Sequence, residues 1–216
     1  MKTISLFIIT LLTAALALAE TPVSGVVEGK WTKDGSPYRV TGDLRVENAH
    51  TLRIEPEVDV VFEGPYTLTV EGRLLAGTKK RLGIEVNWKG RDERTVRFTT
   101  DLEKNPQGWG GIIFLKAGDE NELTNCEISH ARGGSNGGGV RCENSEVAIT
   151  NCTFTDCAAT GSGGAIAVID GGAAITNCTL VNNRAGGSGG GVYVTNGELA
   201  ITNCTIAMNA GGGIHL

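Results

Sequence analysis

One four-residue phrase recurs at a fixed step: Leu-Thr-Asn-Cys at 123–126, then Ile-Thr-Asn-Cys at 149–152, 175–178 and 201–204, each starting 26 residues after the last. A glycine phrase keeps the same step, at Gly137-Gly138-Gly139-Val140, Gly163-Gly164-Ala165-Ile166 and Gly189-Gly190-Gly191-Val192. A constant period of about 20 to 50 residues is the signature of a solenoid, because each unit can bury its apolar face only against the next. Helical units are excluded by the repeat itself, whose segments are short, β-branched and alternating, with Asn and Gly between them.

Each unit holds three strand signals. The first carries Val140/Cys142, Ile166/Val168 and Val192/Val194 in successive units. The second carries Val147/Ile149, Ala173/Ile175 and Leu199/Ile201, and the third is centred on Ile128, Phe154, Leu180 and Ile206. Alternation turns these residues inward and leaves Thr150, Thr176 and Thr202 outside. Three strands per coil, every coil in register, make an all-β, right-handed parallel β-helix. Coils about 4.8 Å apart stack Asn125, Asn151, Asn177 and Asn203 into a ladder at a bend. Asn tolerates the left-handed backbone such a bend needs, and an internal stack would let the amides hydrogen-bond to one another. Cys126, Cys152, Cys178 and Cys204 form a second ladder, expected to be small buried hydrophobes. In-register Cβ atoms run parallel at about 4.8 Å, whereas a disulfide needs about 3.8 Å and converging vectors, so these four are expected to stay reduced. Cys142 and Cys157 lie off the ladder and are the two left free to pair.

The earlier chain follows the same pattern less regularly. Leu44/Val46, Leu68/Val70 and Ile112/Phe114 read as first strands, and Leu52/Ile54 with Val58/Val60/Phe62 complete the first of those coils. The helix is therefore expected over 44–216, with six coils and the start of a seventh, and residues 79–95 as a charged loop outside it. Residues 20–43, with Trp31 and Tyr38, are expected to cover the N-terminal end. Ahead of them, Lys2, an apolar run over 4–18 and the exit Ala17-Leu18-Ala19 read as a secretory leader cut after Ala19, implying export to the medium or the cell surface. The run is shorter than the roughly 20 residues that span a bilayer, and no later segment is long enough. Removing Lys2 with the leader leaves 18 Lys+Arg against 24 Asp+Glu, about −6, which argues against nucleic acid as a partner.

"AITNCTF" at 148–154 resembles the coil phrase of the pectin-lyase-like superfamily of right-handed β-helix proteins. Gly163-Gly164-Ala165-Ile166, followed by Leu180-Val181-Asn182-Asn183, is similar to the GGAI and FxxN repeats of polymorphic outer-membrane adhesins. Only Phe154 keeps the Phe of the second motif, and there Cys157 stands in place of the Asn. "YRVTGDLRVENAHTLRIEPEVDVVFEG" at 38–64 resembles the opening coils of secreted bacterial β-helix repeat proteins. The resemblance covers residues 38–216 and implies the fold. It leaves the activity open, since this fold carries lyases, hydrolases, adhesins and passive scaffolds.

Family enzymes bind acidic polysaccharide along the outer face of one sheet. The lyases use an acidic calcium cluster and a basic proton acceptor, and the hydrolases use grouped aspartates. The outward first-strand positions here are Ile113/Leu115, Arg141/Glu143, Ala167/Ile169 and Tyr193/Thr195. Only Arg141 and Glu143 have suitable chemistry, and on one coil among apolar neighbours they read as a surface ion pair. Converging oxygen ligands for calcium are not visible, nor are two acids facing one bond. No catalytic residue, metal or cofactor is therefore expected. Arg141, Glu143, Tyr193 and Trp109 are the candidates for contact with a glycan. Trp88 and Trp109 are the aromatics placed to stack on a sugar, although Trp109, between Gly108 and Gly110, also suits packing over a turn. His130 aligns with Asp156 and Asn182 as a polar edge ladder, and Asp119, Glu120 and Glu122 read as a solvated acidic turn. Asn151, Asn177 and Asn203 each begin an Asn-Cys-Thr glycosylation acceptor, which an internal ladder would close to modification. The rows Thr150/Thr176/Thr202 and Thr153/Thr179/Thr205 are separated by a bend, so they do not form the flat array that ice binding needs. The expected function is an exported β-helix with an adhesive, structural or carbohydrate-contacting role, its partner a polysaccharide or cell-surface glycan. The alternative is an incomplete or divergent polysaccharide lyase or glycoside hydrolase.

After Asn203-Cys204 the next glycine phrase, Gly211-Gly212-Gly213-Ile214, arrives four residues early, and no charged segment or proline follows it. Open strand edges and an uncovered apolar cross-section are features that solenoids normally block. The pattern is thus expected to continue in a longer surface protein, or two chains are expected to meet end to end. Purified residues 20–216 should associate with rising concentration in analytical ultracentrifugation, and a monomer across a wide range would contradict this.

Overall fold

A computed structural model describes residues 20–78, 80–81, 84–85, 95–118 and 120–216. Residues 1–19, where a leader is expected, most of the 79–95 insertion with Trp88, and Asp119 lie outside the described residues. The chain winds as a right-handed parallel β-helix of about seven turns. Second strands make a parallel sheet running from Gly29–Trp31 through Thr51–Ile54, Arg73–Ala76, Asn121–Thr124, Glu146–Thr150 and Gly172–Thr176 to Glu198–Thr202. First and third strands join in one larger sheet because Tyr38–Val46 serves both. Tyr38, Arg39 and Val40 pair with Val60, Val61 and Phe62 of the third-strand side. Leu44, Arg45 and Val46 pair with Leu68, Thr69 and Val70 of the first-strand side. Thr21–Val26 pairs along Tyr38–Val46, and Gly29–Trp31 pairs with Thr51–Ile54, so residues 20–43 meet the first coil as a further turn in register. Trp31 and Tyr38 stack there, buried, with ring centroids 4.4 Å apart.

Register explains the core. Val140, Ile166 and Val192 stack in one column and Cys142, Val168 and Val194 in the next. All six are buried, as are Ile128, Phe154 and Leu180 on the third strands. Each large apolar side chain taken fully out of water contributes about 1.5–3 kcal/mol, and the column repeats that gain every coil. On the outside of the N-terminal coils, charges pair between rungs. Arg97 reaches Asp59 at 3.2 Å on one side and Glu127 at 3.5 Å on the other.

From Ile112 on, each corner is made by a single residue in the left-handed region. Between first and second strands these are Lys116, Asn144, Asp170 and Asn196, with φ from 48° to 51°. Between second and third strands they are Asn125, Asn151, Asn177 and Asn203, with φ of 49°, 54°, 55° and 52°. After the third strands they are His130, Asp156, Asn182 and Met208, with φ from 53° to 58°. The His130/Asp156/Asn182 alignment is thus a backbone corner. Asn and Asp visit this region at the least cost after glycine, which is why they recur there. The glycine phrase answers a tighter demand. A Cβ on Gly138 or Gly164 would sit 2.1 or 2.3 Å from the carbonyl oxygen of Gly164 or Gly190 on the following coil.

The internal amide stack expected at Asn125, Asn151, Asn177 and Asn203 is not formed. These side chains are exposed and make no amide–amide bond, because the left-handed turn that suits Asn also directs its side chain outward. Inside that corner stand the cysteines. The backbone N–H of Cys126 donates to Cys152 Sγ, that of Cys152 to Cys178 Sγ and that of Cys178 to Cys204 Sγ, each at 3.4 Å. The thiols in turn donate to carbonyls, Cys152 to Leu123 O and Thr150 O at 3.3 Å. They are hydrogen-bonding rungs as well as packed side chains. The buried amides lie one corner further on. Asn183 Oδ1 accepts from the Cys157 N–H at 3.0 Å, and its Nδ2 donates to Phe154 O and to Asn209 Oδ1, both at 3.1 Å.

Asn183→Ala would leave the Cys157 N–H buried without an acceptor, and should lower the unfolding free energy by about 1–3 kcal/mol in urea titrations. Asn177→Ala should cost about 1 kcal/mol, for the left-handed corner alone. Glycine should restore stability at position 177 and not at 183; equal rescue at both would refute this division of roles.

Candidate functional site

The outer face of the first-strand sheet carries three of the four expected contact residues. Ile113, Arg141, Ala167 and Tyr193 occupy successive rungs of one column, and Leu115, Glu143, Ile169 and Thr195 the next. His215 adds a further rung beside Tyr193, and the two rings stack at 5.6 Å with an interplanar angle of 6°. Arg141 Nη2 lies 3.2 Å from Glu143 Oε2, two residues along the same strand. Both side chains are about one-third exposed, so the pair contributes at most about 1 kcal/mol to stability.

This face is narrower than the sequence indicates. Ala167 points outward yet is wholly buried. The glycine loops that enter the first strands lean over it: a Cβ on Gly163 would lie 2.8 Å from Ala167 Cβ, and one on Gly137 would lie 2.8 Å from Arg141 Cβ. Ala167 thus offers no surface of its own, and Arg141 on one rung and Tyr193 on the other flank it. Arg141 Nε is buried and has no hydrogen-bond partner within the protein.

Trp109, the fourth expected contact, does not belong to this face. It is fully buried, stacks on Phe62 at 4.2 Å, and donates its Nε1–H to Ser129 O at 2.8 Å. Its flanking glycines permit close approach of the backbone. A Cβ on Gly110 would meet Thr67 Cγ2 at 2.4 Å. Glu120 of the acidic turn pairs with Arg73 at 2.7 Å. Among the described residues, no group of three or more His, Cys, Asp or Glu side chains converges as a metal site. Thr150, Thr176 and Thr202 run beside the exposed asparagine corner, with Thr153, Thr179 and Thr205 beyond it.

Burial keeps the thiols of Cys142, Cys152 and Cys157 protonated, and so weakly nucleophilic, near neutral pH. All six cysteines are free. Burial pushes Cys142 up to about 11 and Cys157 up to about 12, and raises Cys152 well above the ordinary thiol value. The neighbouring Cys152 thiol, followed by burial, raises Cys178. Cys142 and Cys157, the two left free to pair by their positions, instead donate to carbonyls of their surroundings, Ser145 O at 2.9 Å and Ile128 O at 3.6 Å.

With this geometry, comparison with known proteins is decisive for the fold. The family model described as the right-handed β-helix region matches residues 100–216. The chain belongs to that family. Searches of the curated proteins and of the solved structures return no match. The β-helix member described here also fits the pectin-lyase-like superfamily, through its parallel coils and near absence of helix.

A thiol with a folded pKa above its unfolded value of 9.0 stabilises the fold below pH 9. It loses that contribution as pH rises through the interval to the folded value. The unfolding free energy should therefore decline from about pH 9, by up to about 1.4 kcal/mol per pH unit for each of Cys142, Cys152, Cys157 and Cys178. Urea titrations of wild type between pH 8 and 11 should show this decline, and Cys157→Ala should flatten it. A flat wild-type profile would mean that the thiols titrate normally in the fold.

Proposed function

We propose that this β-helix protein is exported and contacts a glycan at a cell surface, without chemistry of its own, through the outer face of its first-strand sheet. The observation that carries this reading is the pair of partly exposed groups on either side of the buried Ala167, with the ring of Tyr193 on one side. On the other side lies the partly exposed Arg141–Glu143 pair. A sugar offers an apolar ring face for Tyr193 and hydroxyl or carboxylate oxygens for the guanidinium. The leader at 1–19 supports export, and the likeness of the glycine phrase to adhesin repeats supports a role at a surface.

Retention on a panel of immobilised polyuronates and neutral glycans tests the reading, with unsaturated products scored in the same incubations. Tyr193→Ala and Arg141→Ala should each weaken retention on the bound glycan about tenfold, near 1.4 kcal/mol. Thr153→Ala, on another face, should leave it unchanged. Retention indifferent to both substitutions would remove the face from consideration. Unsaturated products would replace the binding role with lyase chemistry.

A further inference from the structure

Two asparagines in the chain are followed by glycine, Asn136–Gly137 and Asn196–Gly197, and the fold treats the two pairs differently. An asparagine before glycine carries a latent reaction, because a following residue without a Cβ leaves its backbone nitrogen free to swing toward the side-chain amide carbon. At Asn136 both reacting groups are tied down. Its Oδ1 accepts from the Ser162 N–H at 3.0 Å, the Gly137 N–H donates to Ser162 O at 3.0 Å, and Gly137 is buried. At Asn196 neither is held. Thr195 O accepts from the Asp170 N–H at 3.1 Å and the Glu198 N–H donates to Gly171 O at 2.8 Å. Between them Asn196 and Gly197 are exposed, and the Asn196 amide and the Gly197 N–H have no hydrogen-bond partner among the described residues. This gap in the ladder belongs to the corner itself. One coil earlier, Asp170 is exposed and the Gly171 N–H has no partner among the described residues, although Glu198 of the next coil is bonded over them.

We propose that Asn196 is a site of spontaneous covalent modification in the folded protein, losing its amide through a succinimide to give aspartate and isoaspartate. The Gly197 nitrogen attacks Asn196 Cγ and forms a C–N bond, and the side-chain nitrogen leaves as ammonia, carrying the proton of the Gly197 amide. Water then opens the five-membered ring. Opening at Cγ gives an ordinary aspartate. Opening at the backbone carbonyl carbon of Asn196 gives isoaspartate, with the chain running through the former side chain. The fold already holds an equivalent of the first product. Asp170 occupies the same corner one coil earlier, with the same φ of 51°. Conversion adds a negative charge on the coil above Asp170. Asn196 directly follows the strand Val192–Thr195, so the charge arises at the edge of the face that carries Tyr193.

Full-length protein held in mildly alkaline buffer, sampled over weeks and digested for peptide mapping by mass spectrometry, tests the site. Relative to a zero-time sample, the peptide with Asn196 should gain the amide-to-acid mass increment and split chromatographically into aspartate and isoaspartate forms. It should do so at least about tenfold faster than the peptide with Asn136, where two hydrogen bonds must open before the ring can close. In urea-unfolded protein the two peptides should convert at comparable rates, so that the difference is the fold's. Asn196→Gln should show no conversion on this timescale, since its ring would need a sixth atom, and circular dichroism establishes that this variant is folded. Conversion at Asn136 as fast as at Asn196 in the folded protein overturns the proposal. So does an Asn196 that stays intact in the folded protein while the unfolded protein converts.

Discussion

The stacking of one coil on the next by parallel backbone hydrogen bonds is the constraint on which everything else in this molecule depends. A spacing of about 4.8 Å forces whatever stands at one place on a coil to lie directly over its counterpart 26 residues away. Chemistry therefore comes in columns. A column inside must satisfy itself with itself, through apolar contact for Val140, Ile166 and Val192, or through hydrogen bonds that run from rung to rung for the cysteines and for Asn183 and Asn209. Outside columns are freer, yet even there Arg97 is placed between Asp59 and Glu127 by the same translation.

Turning the chain within so small a cross-section requires corners one residue wide. In the coils from Ile112 on, left-handed residues supply them, three per coil, together with the positive-φ glycines Gly137, Gly163 and Gly189 that precede the first strands. At each corner the strand alternation is interrupted. The residue that bends the backbone points out, and the one after it points in and must supply an inward group. Asn and Cys divide this work in the repeated phrase: the amide belongs to the bend, and the thiol belongs to the interior. The same division recurs one corner later, with Asp156 and Asn182 bending and Cys157 and Asn183 facing in.

A face for recognition then arises where loops lean over a regular sheet. On the first-strand side the glycine loops shorten the exposed shelf, bury the outward-pointing Ala167, and leave Arg141 and Tyr193 at its two sides. The N-terminal coils are dense in charges of both signs and the C-terminal ones sparse and net acidic, 15 Lys+Arg against 15 Asp+Glu over 20–118 and 3 against 9 over 119–216, which gives the helix two different surfaces. The face at Ala167 belongs to the second of these.

Coil period, strand assignment, inward valines and isoleucines, and the left-handed bend at Asn125, Asn151, Asn177 and Asn203 were all legible in the sequence. A step of 26 residues admits one way of stacking, and alternation decides inside from outside along a strand. The sequence by itself could not say which of two adjacent polar residues at a corner turns inward, because alternation fails where φ changes sign. The amide stack was therefore read at Asn177 when it stands at Asn183 and Asn209, although their own 26-residue step marks them. Nor could it separate a glycine that exposes its neighbour from one that admits another chain. Trp109 is buried for the second reason, with Phe62 against its ring. Periodicity is a property of the chain and survives in the one-dimensional text. The direction of a corner and the cover over a face depend on atoms brought from other coils, and only the tertiary structure supplies them.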